Sequence, residues 1–426
     1  MSVRSIIFAS LFVAGCATTI HVDRNNSGPA DGSAQRPFPT IQQGLNAVNF
    51  GEAVEVRPGT YTESVVMKRN TNLRGTPGAA LIGTGNQPTI TAPGNNSIRD
   101  LTILGGGSGV LLQWDGIGRP EVETQFTIER VEVRDANRGV ELTTPDQYGF
   151  DQPEPVPLVL NVTGNFFRGL VNSGVTVTHR GPSTGTVILR LSIANNVVEQ
   201  TFSAIQLSAD ERHSSEGNLP SAQILGEIRN NLLVLNRNGI QMDAASRSAV
   251  SPLIVGNTIA RNTLHGITAS VEGGSFGPGL GVVGVNLERN IIAANTGFGY
   301  QEFTERTSAI LHDNLFFQNS DGNYADAESG DAINGQGAIN DLDNSDDNRV
   351  ADPLFVRGSA PILGNLNNVV PGPGEFFLQQ DATAVSPAVN GGPITVEDAR
   401  LAGKTTNVTL APDSGLVDLG FHFTPF

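Results

Sequence analysis

Residues 210–213 read Asp-Glu-Arg-His, the densest group of acids and bases in the chain. Two carboxylates beside a guanidinium and an imidazole suit proton transfer and the stabilisation of a developing anion. A lyase uses such groups to remove a proton next to a sugar carboxylate, and a hydrolase uses them to open a glycosidic bond. Asp210, Arg212 and His213 are therefore candidate catalytic residues, with His179 and Arg180 as a second group. Tyr148, Asp151, Asp243, Arg247 and Tyr300 are candidates for holding carbohydrate, because aromatic faces meet the apolar side of a sugar ring while acids and guanidinium groups bond its hydroxyls. Loop charges are often merely solvated, and neighbours in sequence need not share a geometry. A frame must bring these residues together.

All of them lie in or beside six insertions: PDQYGFDQPEPVP (145–157), HRGPSTG (179–185), ADERHSSEGNLPSA (209–222), DAASRSA (243–249), VEGGSFGPGLG (271–281) and QEFTERT (301–307). Each follows the same part of a repeated phrase: an apolar residue, Asn three positions later, a second apolar residue two after that, then usually a Gly-apolar pair. The phrase is clearest in IRNNLLVLNRNGIQM (228–242), IVGNTIARNTLHGITA (254–269), LERNIIAANTGFGYQ (287–301) and LHDNLFFQNSDGNY (311–324), with weaker copies from Ile98, Ile128, Val162 and Ile193. If the repeats stack in register, insertions at one place in the frame line one side of the stack. That side would be a groove with a rim of loops.

Successive Asn of the frame are Asn165, Asn196, Asn231, Asn257, Asn290 and Asn314, spaced 31, 35, 26, 33 and 24 residues apart. A fixed centre with a variable period predicts short strands joined by loops of free length, a solenoid and not a heptad or helical repeat. The 50 Gly and 24 Pro also disfavour helices. The expectation is an all-β parallel β-helix, each turn of the chain being one coil. The Asn is placed at a bend, where it tolerates left-handed backbone and its amide bonds to the backbone and to the Asn of the next coil. Four coils carry a second Asn five residues on: Asn236, Asn262, Asn295 and Asn319.

With this frame the chain resembles the right-handed parallel β-helix proteins of bacterial surfaces, in the pectate-lyase-like superfamily. Residues 20–67, which end PGTYTESVVM, are similar to that group's opening segment: a strand, a short capping helix, and a strand ending in PGTY. DPLFV (352–356), FFLQQDATAVSPAVNGG (376–392) and VDLGF (417–421) look like its closing segment. The resemblance implies a single-stranded right-handed solenoid with an irregular C-terminal cap. TIQQGLNAV (40–48) supplies the helix, with Ile41, Leu45 and Val48 on one face and Thr40 as its N-cap. The family's catalytic signatures are missing: neither Gly-His-Gly nor Arg-x-Lys occurs, and the only Asp-Pro is followed by Leu354 instead of His. Lys68 and Lys404 are the only lysines, and both lie far in sequence from the central coils.

The expected organisation is a signal peptide over 1–15, an opening strand and capping helix over 16–50, β-helix coils over 51–324, and a C-terminal cap with a trailing segment over 325–426. The apolar run SIIFASLFVAG (5–15) is too short to span a membrane, which needs roughly 20 residues. VAGC (13–16) resembles the bacterial lipobox, which implies a lipid on Cys16, anchoring in the cell envelope, and location at the outer membrane or cell surface. Cys16 is the only cysteine, so no disulfide can form within the chain. A formal charge of −16 with no basic cluster argues against nucleic acid as a partner. The acidic runs 321–331 and 341–353 could bind Ca²⁺, although neither has the spacing of a known Ca²⁺ loop, and no other cofactor is expected. The function expected is that of a monomeric, surface-anchored solenoid that binds a polysaccharide or cell-surface glycan in a lateral groove, with cleavage by a lyase or hydrolase mechanism open. The alternative is noncatalytic adhesion.

Overall fold

The structure, a computed structural model, describes residues 19–114, 123–144, 158–180, 187–210, 222–246, 248–272, 281–357 and 375–424. Three sheets of 11 strands each, A, B and C, are visited in that order by successive coils. In one central coil Ala222–Arg229 lies in sheet A, Leu232–Val234 in sheet B and Asn238–Ala245 in sheet C. Pairing between coils is parallel and in register, so equivalent residues stack. Val175, Ile205, Ile240, Ile267 and Tyr300 are successive Cα partners in sheet C. These residues and their counterparts in sheets A and B fill the inside of the coil, leaving one continuous apolar core. The fold is a right-handed parallel β-helix.

The frame Asn residues sit at the bend from sheet A to sheet B, fully buried. Asn196 Nδ2 donates to Asn231 Oδ1 at 2.9 Å, Asn231 to Asn257 at 2.9 Å, and Asn257 to Asn290 at 3.0 Å. Each also donates to a carbonyl of the preceding coil, as Asn257 does to Ile228 O at 2.8 Å. Oδ1 in turn accepts a backbone N–H, that of Asn231 in the case of Asn257. Every polar atom of these buried amides thus has a partner. The second set, Asn236, Asn262, Asn295 and Asn319, makes a parallel ladder at the bend from sheet B to sheet C. One expectation is corrected. The left-handed residue is the one before the ladder Asn: Asn195, Asn230, Arg289 and Asp313 have φ of 59°, 49°, 56° and 56°. The corner needs the left-handed backbone one step earlier so that the next side chain turns inward to bond.

At the N-terminal end, α1 (Ile41–Ala47) buries Ile41 and Leu45 against the first strands. Thr40 Oγ1 accepts from Gln43 N at 3.3 Å, and the Glu63 carboxylate accepts from Ile41 N and Gln42 N at 2.8 and 3.1 Å, which satisfies helix donors that have no partner inside the helix. At the other end, α2 (Gln336–Asn340) places Ile339 in the core, and the Asn340 Oδ1 accepts from Asn348 Nδ2 at 3.0 Å, where the Asn ladder stops.

The expected trailing segment does not trail. Residues 375–424 fold back as a strap over the outer face of sheet B. That face carries Phe166, Val197, Leu232, Val234, Ile291 and Leu315, and the strap covers it with Phe376, Phe377, Leu378, Leu419, Phe421 and Phe423 in a second apolar core. His422 N donates to Asn230 Oδ1 at 2.7 Å and Phe421 N to Thr258 Oγ1 at 2.9 Å, tying the strap to coil residues 192 and 163 positions earlier.

Candidate functional site on the outer face of sheet C

Sheet C owes its outer face to strand alternation. Its long strands SGVTVTHR (Ser173–Arg180), SAIQLSAD (Ser203–Asp210) and NGIQMDAA (Asn238–Ala245) put one residue inside and the next outside. Register then aligns the outward residues into rows. One row runs Glu141, Thr176, Gln206, Gln241, Thr268 and Gln301; the next runs Thr143, Thr178, Ser208, Asp243 and Ser270. Past these, Arg180 is the Cα partner of Asp210, and Glu272 is the partner of Ala245. The result is a platform of amides, hydroxyls and carboxylates parallel to the solenoid axis.

Asp243 has the most unusual chemistry on this platform. Gln241 Nε2 donates to its Oδ2 at 3.0 Å. Burial pushes the Asp243 carboxyl up to about 6, the Gln241 bond opposes this, and the negative charge of Glu272 adds to it. Such a group exchanges its proton close to neutral pH, which suits a general acid or base. Arg180 lies two strands away and two residues further along the strand direction, about 12 Å between Cα positions at normal strand spacing. Toward the last coils the polar rows give way to rings. Phe298 stacks on His265 with centroids 6.2 Å apart, and Phe303, 53% exposed, meets the same imidazole edge-on at 6.1 Å. The imidazole Nδ1 accepts from Phe298 N at 3.1 Å, which leaves its proton on Nε2. His265 is thus a satisfied structural histidine that also forms part of an aromatic patch. Among the described residues, no group of three or more His, Cys, Asp or Glu side chains converges as metal ligands would.

Residues 24–311 match the family described as "Protein of unknown function (DUF1565)", well over half of the chain. The chain belongs to the DUF1565 family. Among solved structures, the pectate lyase Pel9A superposes on this DUF1565 protein with a TM-score of 0.51 at 12% identity, covering 88% of this chain and 92% of that one. A rhamnogalacturonan lyase superposes more loosely, with a TM-score of 0.39 at 12% identity over 90% of this chain and 98% of that one. So does the A-module of the Azotobacter vinelandii mannuronan C-5 epimerase AlgE6, with a TM-score of 0.34 at 17% identity over 73% and 93%. The likeness to Pel9A is one of fold. No curated protein matches the sequence.

The DUF1565 structure separates the candidates read from sequence. Arg180, Asp210 and Asp243 all project from the outer face of sheet C, on neighbouring strands. His179 and Tyr300 do not: both are fully buried inside the coil, so neither can line a groove. His179 Nε2 donates to Val187 O at 3.0 Å, and burial pushes its pKa down to about 4. Tyr300 stacks on Tyr324 with centroids 5.3 Å apart. Parity is the reason: each lies an even number of residues from the inward apolar residue that follows its strand's small residue, whereas Arg180 and Asp243 lie an odd number away. Glu302 is likewise inward, with Tyr324 Oη donating to its Oε1 at 2.7 Å, and Trp114 is buried in the core. Arg212, His213, Tyr148, Asp151, Arg247 and Cys16 lie outside the described residues. The points where the insertions leave sheet C, at 144, 180, 210, 246, 272 and 302, follow stacked strands along one edge. Gln206, Gln241 and Ser208 were missed because the insertions leave out these strand residues; the alternation of the strands themselves would have shown them. Lys404, remote in sequence, lies near Arg229 of a central coil because the strap folds back.

Proposed function

We propose that this DUF1565 protein binds an extended carbohydrate polymer along the outer face of sheet C. The observation that carries the reading is the pair of rows through Gln206 and Gln241 and through Ser208 and Asp243. They repeat at the strand spacing, about 4.8 Å, on the scale of one sugar residue, so successive rings would meet the same donors and acceptors. The Phe298, His265 and Phe303 rings offer a stacking surface at one end of the platform. Kinship of fold with a protein named as a pectate lyase supports a glycan ligand. The Asp243 carboxyl, raised by burial and flanked by Glu272, favours a finer reading, in which Asp243 moves a proton during cleavage. The same proposal holds the protein at the bacterial cell envelope by a lipid on Cys16, on the strength of the sequence VAGC (13–16).

The test passes the mature chain over immobilised pectin, alginate and glycosaminoglycans and reads retention together with new reducing or unsaturated ends. Retention with new ends gives a cleaving enzyme, and retention without them gives an adhesion module. Passage through every matrix would contradict the reading.

A further inference from the structure

A cavity of about 170 Å³ lies in the seam between sheet A and the strap, on a different face from the platform. Its solenoid wall includes Arg229 and Arg289, and its strap wall includes Arg400. Arg289 is matched by Glu288, whose Oε2 is 3.1 Å from Nη1. Arg229 is less well matched. Its side chain is 22% exposed, and its nearest carboxylate, Glu227, stays 3.7 Å from Nε, beyond hydrogen-bond length. Burial lowers the pKa of Arg229, Glu227 opposes the shift, and the positive charge of Arg400 deepens it. Lys404, on the same strap, is pushed down to about 8 by burial and then by Arg229.

The other acids in the wall bond to neutral donors and not to Arg229 or Arg400. Asp418 accepts from Asn390 N at 2.6 Å, from Gln380 Nε2 at 3.2 Å and from Thr406 Oγ1. Asp398 accepts from Thr395 Oγ1 at 2.9 Å. Arg229 and Arg400 therefore share a half-covered space, and among the described residues no acid is in hydrogen-bond contact with Arg229, an arrangement that like-charge repulsion disfavours until an anion enters. Guanidinium groups are the natural partners of planar or tetrahedral oxyanions.

We propose that this seam pocket binds a small oxyanion, a carboxylate or phosphate, gripped by Arg229 and Arg400. The space of about 170 Å³ is enough for inorganic phosphate or one acidic monosaccharide. Leu253, Val255 and Leu401 in the wall would meet the apolar face of a sugar ring. Because half of the wall is strap, the ligand also fastens the strap to the coils. The proposal does not rest on the glycan reading of sheet C.

Calorimetric titration of the mature chain at low salt with sodium galacturonate, and separately with sodium phosphate, tests it. Saturable binding of at least one probe is expected, and the probe that binds tells a sugar acid from a phosphoryl group. Arg400→Ala, at an exposed position, and Arg229→Gln should each weaken the dissociation constant about tenfold. Retention on glycan matrices should be unchanged in Arg400→Ala, because Arg400 is remote from sheet C. No saturable heat with either probe, or equal affinity in the Arg229→Gln, Arg400→Ala double variant, would overturn the proposal.

Discussion

Gln241 and Asp243 stand two residues apart on one strand of sheet C, and the amide of the first donates to the carboxylate of the second at 3.0 Å. The bond holds the acid in a fixed rotamer beside Ser208 and Ser270, its partners in the adjoining coils. It also favours the charged form, yet burial outweighs it and the carboxyl titrates near 6. An acid that is positioned, half-covered and poised near neutrality is what distinguishes this platform from an ordinary polar strand face.

The Asn ladder should be the most sensitive part of the scaffold. In Asn257→Leu, the Ile228 carbonyl, the Asn231 N–H and the Asn290 Oδ1 each lose a partner. Each buried group left unpaired costs about 1–3 kcal/mol. Urea unfolding should show a loss of several kcal/mol, against a few tenths for an exposed Asn such as Asn25. An equal effect at both positions would mean that the ladder bears no load.

His179 makes a prediction with a sign. Its folded pKa, near 4, lies below the ordinary value of 6.5, so the unfolded chain takes up the proton first. Its contribution is fully present above pH 6.5 and is lost as pH falls toward 4, by on the order of 3 kcal/mol. Asp243, raised to about 6, and Glu302, raised to about 7, act in the opposite sense, gaining stability as pH falls. The comparison that isolates the imidazole is His179→Leu, whose stability should fall less than that of the unchanged chain between pH 6.5 and 4. Parallel pH profiles would place His179 in water.

The strap predicts a divided stability. Phe377 is fully buried and stacks on Phe423 with ring centroids 3.9 Å apart. Phe377→Ala should destabilise the strap by about 3–5 kcal/mol. Hydrogen exchange should then quicken at Phe421 N and His422 N, which bond to Thr258 and Asn230, while the inner strands stay protected. Uniform loss of protection along the coils would show that strap and solenoid unfold as one unit.

The envelope anchor is tested by Cys16→Ser. If Cys16 carries lipid, the substitution moves the protein from the membrane fraction to the soluble one. Partitioning that stays detergent-dependent would remove the anchor from the account.

The solenoid was legible because its signal is local and repeated: apolar, Asn and apolar residues at fixed offsets report a bend whichever coil they belong to. The candidate site was legible only in part. Arg180, Asp210 and Asp243 were found because they flank insertions, but the same criterion drew in His179 and Tyr300, whose direction is set by strand parity and not by nearness to a loop. The strap left no comparable trace. Its partners are Asn230, Thr258 and Ile291, far back in the chain, and a contact at that separation imposes no period on the sequence around it. Phe202, exposed beneath the Arg237 guanidinium at 4.7 Å, shows equally that an aromatic at a bend need not be core.

The central claim is that the outer rows of sheet C hold a glycan, and the most direct measurement compares three chains on whichever matrix retains the protein. Gln206→Ala with Gln241→Ala should lose retention by about tenfold or more while unfolding at nearly the same temperature, because these side chains are on the outer face. Asp243→Asn should keep most of the retention, and any release of new ends should fall with it. Full retention by the Gln206→Ala, Gln241→Ala variant would contradict the account, because the ligand would then lie elsewhere on the solenoid.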